Sequence, residues 1–99
     1  MQKVFISQPM NGKTNEQVKE ERAAAIQAMR DTFGEVEILD SFFENAPHDA
    51  APLWYLGEAI KLLSHADCAY FVDGWENARG CKIEHDCAVA YGIKVFHQV

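Results

Sequence analysis

The sequence predicts a three-layer α/β domain: a parallel sheet of four to five strands with helices on both faces. Short apolar runs at Val4-Phe5-Ile6, Val36-Glu37-Ile38-Leu39, Cys68-Ala69-Tyr70-Phe71-Val72 and Ile93-Lys94-Val95-Phe96 alternate with longer segments of helical apolar spacing. The first run is continuously apolar, the pattern of a strand buried on both faces. Turn formers punctuate the joints.

Each element has its own local reason. Pro9 and Gly12 stop the first strand. Thr14 and Gln17 then have capping-box spacing, and Val18, Ala25, Ile26, Met29 and Phe33 recur at helical intervals until Gly34. Between the second strand and Pro52 lies a run rich in turn formers and aromatics, read as a long irregular loop. Pro52 suits a first helical turn, and Leu53, Leu56, Ala59, Ile60 and Leu63 carry a helical stripe to about Ser64. After the third strand, Asp73-Gly74-Trp75-Glu76-Asn77 reads as a turn. Ala78 to Tyr91 reads as a helix ended by Gly92, before the last strand. Such alternation implies right-handed crossovers, and the expected strand order is the flavodoxin-like, Rossmann-like 2-1-3-4.

The 99 residues suit one domain, since a chain of this size buries roughly two-thirds of its extended surface and cannot divide it between two cores. The composition, 48% apolar and 24% charged, is that of a folding chain rather than a disordered one. A net charge of -6 without a Lys/Arg cluster argues against polymeric nucleic acid as a partner, though one small anion can still be held by local donors. The start enters a strand at once, with no signal-peptide pattern and no bilayer-length apolar run, so a cytoplasmic protein without membrane contact is expected. Cys68, Cys81 and Cys87 have no CxxC spacing and read as buried thiols.

Open parallel sheets bind ligands beyond the carboxyl ends of their strands. That rule selects Ser7-Gln8-Pro9-Met10-Asn11-Gly12, Asp40-Ser41-Phe42-Phe43, Asp73 to Asn77, and the first turns of the third helix. Within that helix Gly80, Ile83, Glu84, Cys87, Ala88 and Tyr91 share one side at helical spacing, which turns Glu84 toward the sheet. Such a carboxylate is either functional or a boundary residue satisfied by a donor such as Arg22. Gly80 is expected to bring the backbone close beside it.

An opening Lys-Val-Phe-Ile-Ser-Gln-Pro-Met-Asn-Gly, Ala66-Asp67 before the third strand, and Arg79-Gly80-Cys81-Lys82-Ile83-Glu84 followed by Ala88 and Tyr91-Gly92 carry a resemblance. Together they look like the nucleoside 2-deoxyribosyltransferase-like superfamily, and more closely its short bacterial and phage branch with the domain of unknown function DUF4406. The resemblance implies a glutamate nucleophile at Glu84 that attacks the anomeric carbon of a nucleoside or nucleoside 5′-monophosphate, and a supporting acid at Asp67. It also implies base or sugar contacts from the Gln8, Met10 and Asn11 loop, and a homodimer or higher oligomer. Where the family has a further aspartate, six residues ahead of the nucleophile, this chain has Ala78, with Asn77, Asp73 and Glu76 as the nearest polar substitutes. That departure favours a second reading, a non-catalytic nucleotide-binding module.

Arg22, on the apolar stripe of the first helix, is either a phosphate clamp or a structural ion pair, and Arg79 is a comparable phosphate candidate. Trp75 is the expected stacking surface for a base. Trp54, Tyr55 and the Phe42-Phe43 pair are core, or the contact of a homo-oligomeric interaction protein, a third reading. Cys81 and His85 have i, i+4 spacing but no second pair to complete a metal site. His48, His65 and His97 read as single surface residues. Neither GxGxxG nor GxxxxGK occurs, and no metal or cofactor is expected.

Overall fold

Strand β1 (Gln2–Ser7) runs through the middle of the sheet in the computed structural model of the chain, which describes residues 1–41, 43 and 46–99. Helix α1 (Asn15–Phe33) leads to β2 (Val36–Leu39), and α2 (Pro52–Leu63) to β3 (Cys68–Phe71). A short 3-10 turn (Trp75–Asn77) precedes α3 (Arg79–Ala90), and β4 (Lys94–His97) closes the order. All pairings are parallel, and the strands lie in the order β2-β1-β3-β4 that the sequence predicts. The register sets Val4 beside Ile38 and Cys68, and Ser7 beside Phe71.

Strand parity divides the core into two layers. Val4 and Ile6 pack with Cys68, Tyr70 and Val72 against Ala25 and Met29 of α1. Phe5, Ala69 and Phe71 turn the other way, onto Ala59 and Leu63 of α2 and Ala88 of α3. Ser7 has the parity of Phe5 and therefore faces α3, whereas Gln8 turns to α1. The topology reverses at β1, which feeds β2 on one side and pairs with β3 on the other; crevices open at the carboxyl ends of strands where such a reversal occurs.

Local chemistry fixes the ends of α1. Thr14 Oγ1 accepts from Gln17 N at 3.1 Å and Gln17 Oε1 accepts from Thr14 N at 2.9 Å, the reciprocal capping box. Gly34, at φ 79°, stops the helix in backbone geometry that a side chain would strain. No described helix is long and apolar enough to cross a membrane.

The buried stripe of α3 differs from the expected one. Cys81, Glu84 and Ala88 form it, while Ile83 is 38% and Tyr91 83% exposed. Tyr91 caps the helix beyond its last turn, and Ile83 lines a surface groove with Leu53 and Leu56 instead of meeting the sheet. Glu84 points inward as predicted. Cys81, one turn earlier on the same face, replaces Ile83 as its companion.

Candidate ligand cleft around Glu84

Two adjoining cavities open at the carboxyl edge of the sheet. The first, about 410 Å³, has Phe5 and Ser7 of β1 as its floor and walls of Phe43, Tyr55, Leu56, Gly80, Cys81 and Glu84. The second, about 400 Å³, is lined by Asn11, Lys13, Asp73, Asn77 and Arg79. Gln8, Met10 and Cys81 border both, so the two form one cleft with an apolar and a polar half. Each half is of small-molecule size.

Glu84 is only 9% exposed. Ser7 Oγ donates to its Oε1 at 2.6 Å across 77 residues of sequence. Burial pushes the Glu84 carboxyl above the ordinary carboxylate range, and the Ser7 hydrogen bond holds it partly back. Burial also drives the Cys81 thiol up to about 11, against the Ser7 hydroxyl and with the Glu84 charge, so Cys81 is a neutral thiol at physiological pH. Ser7 thus stands between a carboxylate and a thiol. Ser7→Ala is expected to move the Glu84 titration to higher pH, measured by carboxyl carbon NMR. It should also cost about 1–3 kcal/mol, because the buried Glu84 carboxyl loses its hydrogen-bond partner.

Gln8 is held from α1. Its Nε2 donates to Val18 O at 2.6 Å and more weakly to Glu21 Oε1 at 3.4 Å, while Lys13 Nζ clamps both Glu21 oxygens at 2.9 Å. The side-chain oxygen of Gln8 is buried with no hydrogen-bond partner among the described residues. At the start of α3, Ala78 supplies no side-chain cap, and Ala78, Arg79 and Cys81 border the polar half of the cleft.

The residues singled out from sequence divide accordingly. Ser7, Gln8, Met10, Gly80 and Glu84 border the first half, and Gln8, Pro9, Met10, Asn11, Asn77 and Arg79 the second. Gly12, Asp40, Arg22, Trp75 and Asp67 line neither. Asp67 precedes β3 at the amino edge of the sheet, where its carboxylate accepts from Lys3 N at 2.8 Å. Ser7 is four residues further along β1 than Lys3, about 13 Å of extended strand. Asp67 therefore ties two strand starts and does not reach Glu84.

Arg22 follows its structural reading. Its guanidinium donates to Ser41 Oγ at 3.3 Å and lies 3.8 Å from Asp40, and Ser41 in turn donates to Ile6 O at 3.1 Å. This chain fastens the exit of β2 to α1 and β1. One face of Trp75 is taken, because His85 lies on its ring at 4.1 Å and 13° and His97 at 5.4 Å and 24°. Gly80 brings no backbone close, since a Cβ there would meet nothing within 4 Å. It leaves open volume above Glu84 instead. Phe42 lies outside the described residues; Phe43 packs edge-on to Trp54 at 6.1 Å.

The sequence reading has Ser7 in the ligand loop and Cys81 as a buried thiol but pairs neither with Glu84, although strand parity from Phe5 and one helical turn from Glu84 point to each. No group of three or more potential metal ligands occurs among the described residues. Fold and site together define an open parallel α/β domain whose cleft at the carboxyl edge is built around a buried carboxylate. The chain belongs to the family described as Domain of unknown function (DUF4406), whose profile matches residues 2–97. No curated protein matches it in sequence.

Proposed function

We propose that the chain cleaves the N-glycosidic bond of a nucleoside or nucleoside 5′-monophosphate with Glu84 as nucleophile. The observation that carries this reading is a buried carboxylate, oriented by a serine, facing an apolar cavity that continues into a polar one. The apolar half suits a flat base; the polar half, with Asn11, Lys13 and Arg79, suits sugar hydroxyls or a phosphate. The resemblance to the nucleoside 2-deoxyribosyltransferase-like superfamily supports the same assignment.

The chemistry runs in two displacements. Oε1 of Glu84 holds the Ser7 hydrogen bond, and Oε2 attacks the anomeric carbon. The bond from that carbon to the base nitrogen breaks, and its electron pair leaves with the base, which takes a proton from solvent. Water or a second base then attacks the same carbon, the ester oxygen departs as the restored carboxylate, and the acceptor loses its proton. The nucleophile acts only when ionised. Because burial raises the Glu84 pKa, the rate is expected to fall as pH drops through a value above the ordinary carboxylate range.

One observation favours the second reading, a nucleotide-binding module without catalysis. Glu84 is the only carboxylate among the described residues lining the apolar half, and Asp67 and Ala78 provide no acid beside it. In that case Glu84 accepts a hydrogen bond from a sugar hydroxyl. Incubation with a panel of ribo- and deoxyribonucleosides and their 5′-monophosphates separates the two: release of free base supports cleavage, and saturable binding without release supports the module. A cytoplasmic location and a homodimer belong to the same proposal.

A further inference from the structure

Outside the cleft, four aromatic rings converge where β3, β4 and α3 meet. His85 of α3 and His97 of β4 bring their Nε2 atoms to 2.9 Å. Their ring centres are 5.1 Å apart, close to that contact plus a ring radius at each end, so the nitrogens meet head-on. One ring donates N–H and the other accepts, and a single proton lies between them. Both rings lie over Trp75, and the edge of Phe71 closes the cluster at 4.8 Å from His85.

The cluster holds the wall of the polar cavity. Trp75 belongs to the 3-10 turn, and Asp73, Gly74, Asn77 and Ala78 around it line that cavity. Gln98, next to His97, accepts from Asp73 N at 2.8 Å and donates its own N–H to Phe71 O at 3.0 Å. The segment ending β4 is therefore fastened to the turn by the Gln98 hydrogen bond and through the histidine pair stacked on Trp75.

We propose that the His85–His97 pair is a proton-operated latch: a second proton on the pair parts the rings and releases the 73–78 turn that walls the polar half of the cleft. One added proton is tolerated, since a charged ring still donates to a neutral one. With both protonated, two N–H groups and two positive charges face each other across 2.9 Å. The groups facing His85 are His97 from β4, Glu76 from the 3-10 turn and Asp86 from its own helix. Burial first, and then His97, hold His85 below its usual value, while Asp86 and Glu76 oppose them. The closed latch is accordingly favoured above about pH 6.5, and its contribution to stability is lost as pH falls through the lowered range.

Amide hydrogen exchange, corrected for intrinsic rates, tests the latch on the whole chain at pH 7 and pH 5. Protection over residues 73–78 is expected to fall about 10-fold or more in the native chain, the scale of one lost local interaction. It should change little in His97→Phe, which keeps a ring on Trp75 but cannot take a proton, or in His97→Gln, a second variant should the first not fold. Protection unchanged between the two pH values, or falling equally in these variants, overturns the latch. The latch does not depend on the catalytic reading: failure of that reading removes base release and leaves the exchange result as it is.

Discussion

Glu84→Gln is expected to lower base release at least ~10³-fold, because an amide cannot form the glycosyl ester and no other carboxylate among the described residues lines the apolar cavity. The same substitution should stabilise the fold at neutral pH. Glu84 is raised above its unfolded value of 4.5, so its favourable contribution is complete below that pH and is lost as pH rises through the folded value. Above it, the chain keeps an ionised carboxylate buried with Ser7 as its donor. Glutamine keeps an oxygen for Ser7 and removes the charge, so the variant should gain stability over the native chain as pH rises above 4.5 and lose that gain below it. Thermal denaturation across that range reads the sign directly. A variant that is less stable at every pH would mean that Glu84 is a structural partner of Ser7, and undiminished base release would remove it as nucleophile. Stability gained where activity is lost is the mark of a strained functional group.

Much of this was legible in the sequence because it depends on local periodicity. The elements alternate by apolar spacing, and that alternation points to a parallel sheet whose flavodoxin-like order, β2-β1-β3-β4, is the one found. Glu84 could be turned inward by counting along one helix. The count was one position out for its neighbours, since Ile83 and Cys81 both lie within a stripe's width of Glu84 and only packing against β1 decides between them. What the sequence hid were contacts between distant segments. Ser7 and Glu84 are 77 residues apart, and His85 and His97 sit on different elements, so neither pair has a spacing signal. Asp67 shows the opposite error: its role came from resemblance, whereas its position before a strand puts it at the amino edge of a parallel sheet, away from the cleft. Trp75 was placed correctly in its turn, but the rings that cover it come from α3 and β4.

Phe71→Ala should have the largest effect on stability. Phe71 is fully buried at the carboxyl end of β3, packed with Phe5, Ala59, Leu63 and Ala88 on the face shared by α2 and α3. Its ring also meets Trp75 at 5.6 Å and His85 at 4.8 Å. Truncating a buried phenylalanine costs about 3–5 kcal/mol through lost transfer energy and the cavity left behind. A domain of this size is stable by only about 5–15 kcal/mol, so much of the total is at stake. The urea midpoint should fall accordingly, and Tm by roughly 12–40 °C. Phe71→Leu separates the two duties of the ring. Leucine restores most of the volume against Phe5 and Ala59 but offers no aromatic edge to His85. Stability should recover to within about 1.5 kcal/mol of the native chain. Exchange protection of the 73–78 turn should recover less, because that turn depends on the stack and not only on the core beneath it. Equal recovery of both would reduce Phe71 to filler, with the latch supported by Trp75 and Gln98 alone.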